Sequence, residues 1–423
     1  MTVDFPRLEV LRQFVAEVTN ANPFYAQKWA DLESHPLPSS AADFAARFPF
    51  TTKSELVRDQ AAHPPYGTDL SLPLVQYVRC HQTSGTTGAP LRWLDTATDW
   101  SALTEDWVTV FRASGMTAED RVFVAFSFGP FLGFWLAFEA AQRLGCLCFP
   151  GGGMSSALRA RVLLENQCTV LCGTPTYLLH LAAAARNEGL DLSRSHVRLL
   201  VVAGETGGSL PTTRARLSEA WNGARVFDHH GMTEVGPVTY EHPQHPGTLV
   251  ILEKSFWAEV IERGGTASVP DGELGELVLT TLRRPGSPLV RYRTGDVVRA
   301  RRITSSGTLE TGETALVLEG GILGRVDDMI VIRGVNLYPA AIDDLIGGFP
   351  DIVEYRVTHD LRADLPALTV EIEAPTTTPE IVAAKLRQSL GLRIDVQRVE
   401  PGSLPRSENK ARRWQRIGPS PLG

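Results

Sequence analysis

Thr83-Ser84-Gly85-Thr86-Thr87-Gly88 follows the strand-like run LVQYVRC. Small residues let a backbone curl around an anion, its N–H groups form a concave donor surface, and hydroxyls add hydrogen bonds to phosphate oxygens. A phosphate loop is the chemistry this spacing suits, and a flexible surface turn is the bland alternative. Only five of the forty-one basic residues are lysines (Lys28, Lys53, Lys254, Lys385 and Lys410), and none follows a glycine. The hexapeptide is therefore not a Walker loop, which argues against P-loop phosphoryl transfer.

Asp228-His229-His230-Gly231-Met232-Thr233-Glu234 follows the short strand ARVF. A glutamate beside a hydroxyl at a strand end suits a hard cation such as Mg²⁺ bridging nucleotide phosphates. The histidine pair suggests a transition metal, but no third His or Cys stands nearby at usual spacing, so an imidazole stacked on a base is the better reading. In Arg291-Tyr292-Arg293-Thr294-Gly295-Asp296 a turn glycine presents a carboxylate suited to both hydroxyls of a ribose; a charged hairpin turn is the alternative. Gly324-Arg325-Val326-Asp327-Asp328 precedes MIVIRGVNLYP, where Gly334 lies between a strand and a helix start, as a hinge or a close approach requires. Lys410 stands in a tail otherwise furnished with arginine, and a compact ammonium enters a tight site where a guanidinium does not fit. Cys146-x-Cys148 and Cys168-x3-Cys172 fall in core-strand runs and are assigned to packing rather than metal.

The elements that position these residues follow from periodicity. PRLEVLRQFVAEV and the run from Trp100 to Phe111 are amphipathic helices. From Val122, short apolar runs (VFVAF, CLCF, TVLC, VRLLVVAG) alternate with helical ones, the signature of βαβ units and a helix-covered parallel sheet. Thr174-Pro175 opens a helix that Gly189 stops. Beyond Thr248 strand-like runs joined by Gly, Asp and Pro predict an antiparallel or mixed subdomain, and the last hundred or so residues alternate on a smaller scale. The expected fold is α/β: a large N-terminal domain (1–324) of helix-covered, mostly parallel sheet with a β-rich subdomain, then a small mobile α+β lid (325–423).

The length of 423 residues asks for more than one core, and 43% hydrophobic with 21% charged residues excludes disorder and fibrous repeats. A net charge of −7 argues against a nucleic-acid partner. MTVDFPRLEV lacks the pattern of a secretory signal, and five cysteines suit a reducing compartment, so the expected location is cytoplasmic. The uncharged stretch from Val122 to Phe138 is short for a membrane span and is broken by Gly129-Pro130, so no membrane partner is expected.

The order of these signals resembles the AMP-forming adenylating superfamily of acyl-CoA synthetases, adenylation domains and luciferases, and within it the phenylacetate-CoA ligase branch. TSGTTGAP, FSFGPFLGFW with PGGG, TPTYLLHLA, VVAGETGGS, DHHGMTEVG, RYRTGD and GGILGRVDDMIVIRGVNLYP carry the resemblance, which covers most of Val75 to Lys410. It implies activation of a carboxylic acid by ATP to an acyl-adenylate with release of pyrophosphate, then thioester formation with coenzyme A, with Mg²⁺ as metal. It assigns catalytic roles to Lys410, Glu234 and Thr83. The nucleotide falls to Thr83, Ser84, Gly85, Thr86, Thr87, Gly88, Gly204, Glu205, Thr206, Asp228, His229, His230, Gly231, Met232, Thr233, Asp296 and Arg325, and Mg²⁺ to Glu234. Asp327 would be the hinge and Gly334 would line the CoA tunnel, reached when lid rotation withdraws Lys410. The acyl pocket would take Phe128, Gly129, Phe131, Phe134, Ala203, Gly236 and Pro237, aromatic walls that suit a small aromatic acid such as a benzoate or phenylacetate.

Three departures stand out. Ala89 and Leu91 occupy positions where the family often has lysine, so the pyrophosphate contacts are either weaker or supplied by Arg92. His230 replaces the usual tyrosine. EHPQHPGTL and RARRITSSGTLETGET lack the cysteines of a structural zinc, so no zinc site is expected. Transfer to a carrier-protein thiol or an amine, a non-catalytic nucleotide- or acyl-binding relative, and homodimerisation stay open.

Overall fold

The computed structural model describes residues 5–32, 37–83, 90–130, 132–205, 207–304, 314–326, 328, 330–332, 335–362, 367–405 and 413–418. Ser84 to Gly88, Phe131, Thr206, Asp327, Gly334 and Lys410 from the expected site lie outside these residues.

Five parallel strands form the first sheet, in the order Leu147–Pro150, Arg121–Val124, Val170–Gly173, Leu199–Val202, Arg225–Asp228. Alternate residues feed opposite faces: Val122, Val124, Cys172 and Val201 enter one buried cluster, and Phe123, Leu171, Leu200 and Val202 the other. The intervening helices Gly133–Leu144, Ser156–Glu165, Pro175–Asn187 and Pro211–Ala220 are the crossovers that parallel pairing requires. Thr174 caps the Pro175 helix by accepting from the Tyr177 backbone N–H, and Gly189 follows its end at φ +71°. Cys168 and Cys172 are buried, and burial pushes both thiols up, Cys168 to about 12 and Cys172 well above the usual thiol range.

A seven-stranded antiparallel sheet follows, in the order Thr239–Glu241, Leu249–Ile251, Thr314–Leu318, Tyr292–Thr304, Leu274–Thr281, Phe256–Ile261, with Gly324–Arg325 added beside Asp296. The RTGD segment differs from its expected form. It is not a hairpin turn but part of the thirteen-residue strand Tyr292–Thr304, in which the pairing slips a register and Gly295 takes φ +76°. A bulge supplies the turn-like backbone that glycine signals without ending the strand.

The helices before residue 63 pack on this sheet through a cluster joining Leu11, Val15, Tyr25 and Phe44 to Trp257 and Val290. Thr51 pairs with the Arg291–Arg293 backbone through hydrogen bonds of 3.0 and 2.9 Å. The Lys53–Ala62 helix thus starts beside the RTGD strand, capped by Thr52 and Glu55 in a reciprocal box.

From Ile330 onward a separate cluster gathers Ile342, Tyr355, Val357, Val370, Ile372, Val382 and Leu386. It is built on a four-stranded sheet, Asp395–Arg398, Ala367–Glu373, Glu354–Asp360, Trp414–Ile417, and the helices Pro339–Gly347 and Pro379–Leu390. It meets the first part of the chain where Thr212 donates to Asp344 at 2.6 Å and Arg263 donates to the Tyr338 hydroxyl.

Candidate active site

Ligands of open α/β sheets bind beyond the carboxyl ends of the parallel strands, and three of the predicted residues stand there. Ala203 and Gly204 follow one strand and Asp228 ends the next. Thr83 closes the base of the 84–89 segment: its N–H donates to the Leu91 carbonyl at 2.9 Å and its hydroxyl accepts from the Leu91 N–H at 3.0 Å. Arg92, expected on pyrophosphate, is exposed and donates to the Pro65 carbonyl at 3.1 Å.

Asp228 is buried, accepts from the Ser209 hydroxyl at 2.5 Å and from the His229 N–H at 2.9 Å, and burial pushes its carboxyl up to about 7. His229 is an interior residue: Nδ1 lies 2.7 Å from the Thr239 carbonyl, the ring packs 4.3 Å from Trp107, and burial lowers its pKa to about 4. Glu205 turns toward the start of the Pro175 helix, where the Thr176 N–H at 2.6 Å and the Thr176 hydroxyl donate to it. Its carboxylate is engaged by a helix N-terminus, which attracts anions.

Gly231–Met232 and Gly236–Pro237 form a tight antiparallel bridge with Glu234 at its tip. Gly236 sits at φ +90°, where a Cβ would stand 2.4 Å from Leu103, so only glycine closes this turn. Glu234 is buried; Lys53 donates to its Oε1 at 3.0 Å, and the Tyr292 phenol stands near enough to feel its charge. Burial together with the nearby Glu234 charge holds the Tyr292 phenol well above its ordinary pKa.

Asp296 is also buried. Its Oδ1 accepts from Arg325 at 3.0 Å, while Oδ2 has no hydrogen-bond partner. His230 Nε2 lies 3.1 Å from that oxygen, out of line for a hydrogen bond, and is likewise unsatisfied. Two orphaned polar atoms side by side, one on a carboxylate, mark a place where a hydroxylated ligand would restore what burial removed. Arg325 also donates to the Thr294 carbonyl at 3.2 Å, and a Cβ on Gly295 would stand 2.8 Å from its guanidinium.

Of the expected acyl-pocket residues, Phe134 is core and packs on Phe126 at 4.6 Å, whereas half-buried Phe128 meets Trp135 and Phe138 edge-on at 5.0 and 5.6 Å. Phe128 adopts φ +49°, uncommon for a non-glycine residue, with Gly152 packed beneath its ring. Gly129 accepts from the Trp135 indole at 3.0 Å, and Gly236 and Pro237 are buried behind Glu234.

Residues 75–282 match the AMP-binding enzyme family and 334–415 the AMP-binding enzyme C-terminal domain. The chain is 30% identical over 420 residues to the phenylacetate-coenzyme A ligase of Pseudomonas putida, covering 96% of this chain and 92% of that protein. The chain belongs to the AMP-binding enzyme family. Among its members the phenylacetate-coenzyme A ligase of Escherichia coli is 31% identical over 410 residues, covering 92% and 89% of the two chains. Crystal structures of 2-hydroxyisobutyryl-CoA ligase align with this AMP-binding enzyme at a TM-score of 0.89 in the postadenylation state with 2-HIB-AMP (29% identity, 96% and 88% covered). In the thioesterification state with 2-HIB-AMP and CoA the TM-score is 0.73 (30% identity, 98% and 89% covered).

Sequence reasoning did not place Lys53 or Tyr292 in the site. Lys53 carried a usable signal, as one of five lysines in a chain whose other thirty-six basic residues are arginines.

Proposed function

We propose that this AMP-forming acid–CoA ligase activates a small aryl carboxylic acid of the benzoate or phenylacetate kind. The observation that carries the adenylation reading is the orphaned Asp296 oxygen beside His230, within one site with the buried Glu234.

ATP, Mg²⁺ and CoA serve the two half-reactions. In the first, the acid's carboxylate oxygen attacks the α-phosphorus and the bond to pyrophosphate breaks; in the second, the CoA thiol attacks the acyl carbon and AMP leaves. Glu234 fits the metal, being a hard, buried carboxylate to which the Lys53 ammonium donates on one oxygen. A Mg²⁺ held there would supply neutralisation of phosphate charge. Asp296 accepts the ribose hydroxyls, and Arg325 holds the carboxylate's other oxygen in place. His230, 17% exposed on its side chain, offers its ring to the base. Thr83 fixes the mouth of the phosphate loop, and Lys53, against Glu234, is the cation best placed to share pyrophosphate charge. To Lys410, Asp327 and Gly334, outside the described residues, the proposal gives the roles of clamp on the reacting oxygens, hinge of the lid, 325–423, and lining of the CoA tunnel. The chain aligns more closely with the postadenylation form of 2-hydroxyisobutyryl-CoA ligase than with its thioesterification form, and the proposed lid would turn from the first arrangement toward the second.

The rings of Phe126, Phe128, Trp135 and Phe138 near the expected acyl end support a flat apolar acid. A small hydroxy acid is the second reading, favoured by the alignment with 2-hydroxyisobutyryl-CoA ligase. ATP–pyrophosphate exchange across benzoate, phenylacetate, hydroxy- and aminobenzoates, 2-hydroxyisobutyrate and short aliphatic acids separates the two. The aryl reading requires the highest kcat/KM on a ring acid, and preference for 2-hydroxyisobutyrate refutes it.

A further inference from the structure

Arg284 and Asp95 form an ion pair that water does not reach, 1% and 0% exposed, with Nε donating to Oδ1 at 2.7 Å. The same guanidinium turns Nη1 onto two successive carbonyls, Glu234 at 2.8 Å and Thr233 at 3.2 Å, and lies over the Trp93 ring at 5.4 Å. Trp93 and Asp95 belong to the Arg92–Thr96 strand, which leads out of the phosphate-loop segment and pairs with Tyr77–Gln82. One side chain therefore links the strand behind the phosphate loop to the turn that carries Glu234.

Stability alone is a poor reason for this pair. Desolvating two charges offsets much of their attraction, and apolar replacements of buried ion pairs are often neutral or stabilising. Here Asp95 Oδ2 and Arg284 Nη2 are left without partners besides, so the pair is not even closed. What the geometry achieves is aim. The Glu234 turn hangs on a bridge of only two residue pairs, too little to hold its own tip. With the carbonyls of Thr233 and Glu234 both drawn onto one nitrogen, the two peptide planes that flank the Glu234 Cα are fixed, and with them the direction in which the Glu234 side chain leaves the backbone toward Lys53.

We infer that Arg284, locked by Asp95, is a positioning residue that holds the Glu234 carboxylate in a fixed direction relative to the Arg92–Thr96 strand for metal-bound nucleotide. The inference rests on Glu234 being the metal carboxylate. A lysine at 284 keeps the charge but not the fork that reaches a carboxylate and two carbonyls together.

The test is calorimetric titration of the full chain with ATP, once with Mg²⁺ and once in EDTA, with neither acid nor CoA present so that no turnover occurs. The ratio of the two dissociation constants measures what the metal adds. Arg284→Lys should shrink that ratio about 10- to 100-fold, the usual effect of losing a group that orients a metal ligand, while metal-free ATP binding stays within about 2-fold. Asp95→Asn, which loosens the lock but leaves the carbonyl contacts, should shrink it less and carries the test if Arg284→Lys does not fold. Thioester formation from supplied acyl-adenylate and CoA should be unchanged in both, which a general loss of structure would not allow. Glu234→Gln separates the layers. If it abolishes the metal's contribution while both other variants keep the wild-type ratio, the positioning inference is wrong and the metal reading stands. If Glu234→Gln keeps the wild-type ratio, the metal reading falls and the inference with it.

Discussion

Asp296→Asn removes a charge while keeping the shape of a buried side chain, and its effect can be worked from the geometry. The contact with Arg325 is 3.0 Å long, but the Arg325 side chain is 42% exposed, so solvent screening holds the pair to about 1 kcal/mol or less and the melting temperature should change little. The unpartnered Oδ2 is different, because on this account a ribose hydroxyl donates to it. A hydrogen bond to a charged acceptor contributes about 1.5–3 kcal/mol, and about 1.4 kcal/mol is tenfold in affinity, so the dissociation constant of ATP should rise about 10- to 150-fold. Titration with ATP and with its 2′- and 3′-deoxy analogues isolates the contact. Wild type should discriminate against at least one analogue by about tenfold or more, and Asp296→Asn should discriminate by less than about 2-fold. A variant that binds ATP weakly yet discriminates as strongly as wild type would show that Oδ2 does not meet the ribose.

Lys53→Met should leave the melting temperature nearly unchanged, because the ammonium is 45% exposed, yet raise KM for ATP in pyrophosphate exchange about tenfold through loss of one charged phosphate contact; an unchanged KM removes Lys53 from the site. Asp228 is held near pH 7 by burial, against about 4 in an unfolded chain, so between these values the folded chain retains a proton that the unfolded chain has released, and wild-type stability falls as pH rises through that window. The melting temperature of Asp228→Asn relative to wild type should accordingly climb from pH 5 to pH 8 in thermal scans, and a decline contradicts the assignment. Lys410→Ala, outside the described residues, should abolish adenylation and leave thioesterification of supplied acyl-adenylate largely intact; equal loss of both half-reactions rules out the two-position lid.

Much of this architecture is legible in local sequence because the forces behind it are local. The short apolar runs LLVV and VFV and the Thr174-Pro175 start specify strands and a helix from a few neighbouring residues. The glycine of RTGD correctly signals a left-handed backbone, yet whether that backbone ends a strand or bulges it depends on pairing with Leu274–Thr281, which no local pattern encodes. Glu205 reads as a nucleotide contact from its position after a strand, but its carboxylate is drawn to Thr176, twenty-nine residues earlier. Lys53 meets Glu234 across 181 residues, and Asp95 meets Arg284 across 189. Contacts of that separation are set by how the N-terminal helices and the antiparallel sheet close around the site, and one sequence carries them only as an oddity of composition. The histidine at 230 shows the converse: its identity is read at once, but its consequence, an imidazole nitrogen left unsatisfied beside Asp296, emerges only from three-dimensional placement.

The central claim is that one site makes an acyl-adenylate and then discharges it to CoA. Rapid-quench analysis of a single turnover, with enzyme in excess over labelled ATP and with the best acid from the exchange panel, tests it most directly. Without CoA, acyl-AMP and pyrophosphate should accumulate together in equal amounts; on adding CoA, the acyl-AMP should disappear as AMP and acyl-CoA appear at one shared rate. Formation of ADP and phosphate, or an acyl-AMP pool that CoA leaves untouched, would contradict the account.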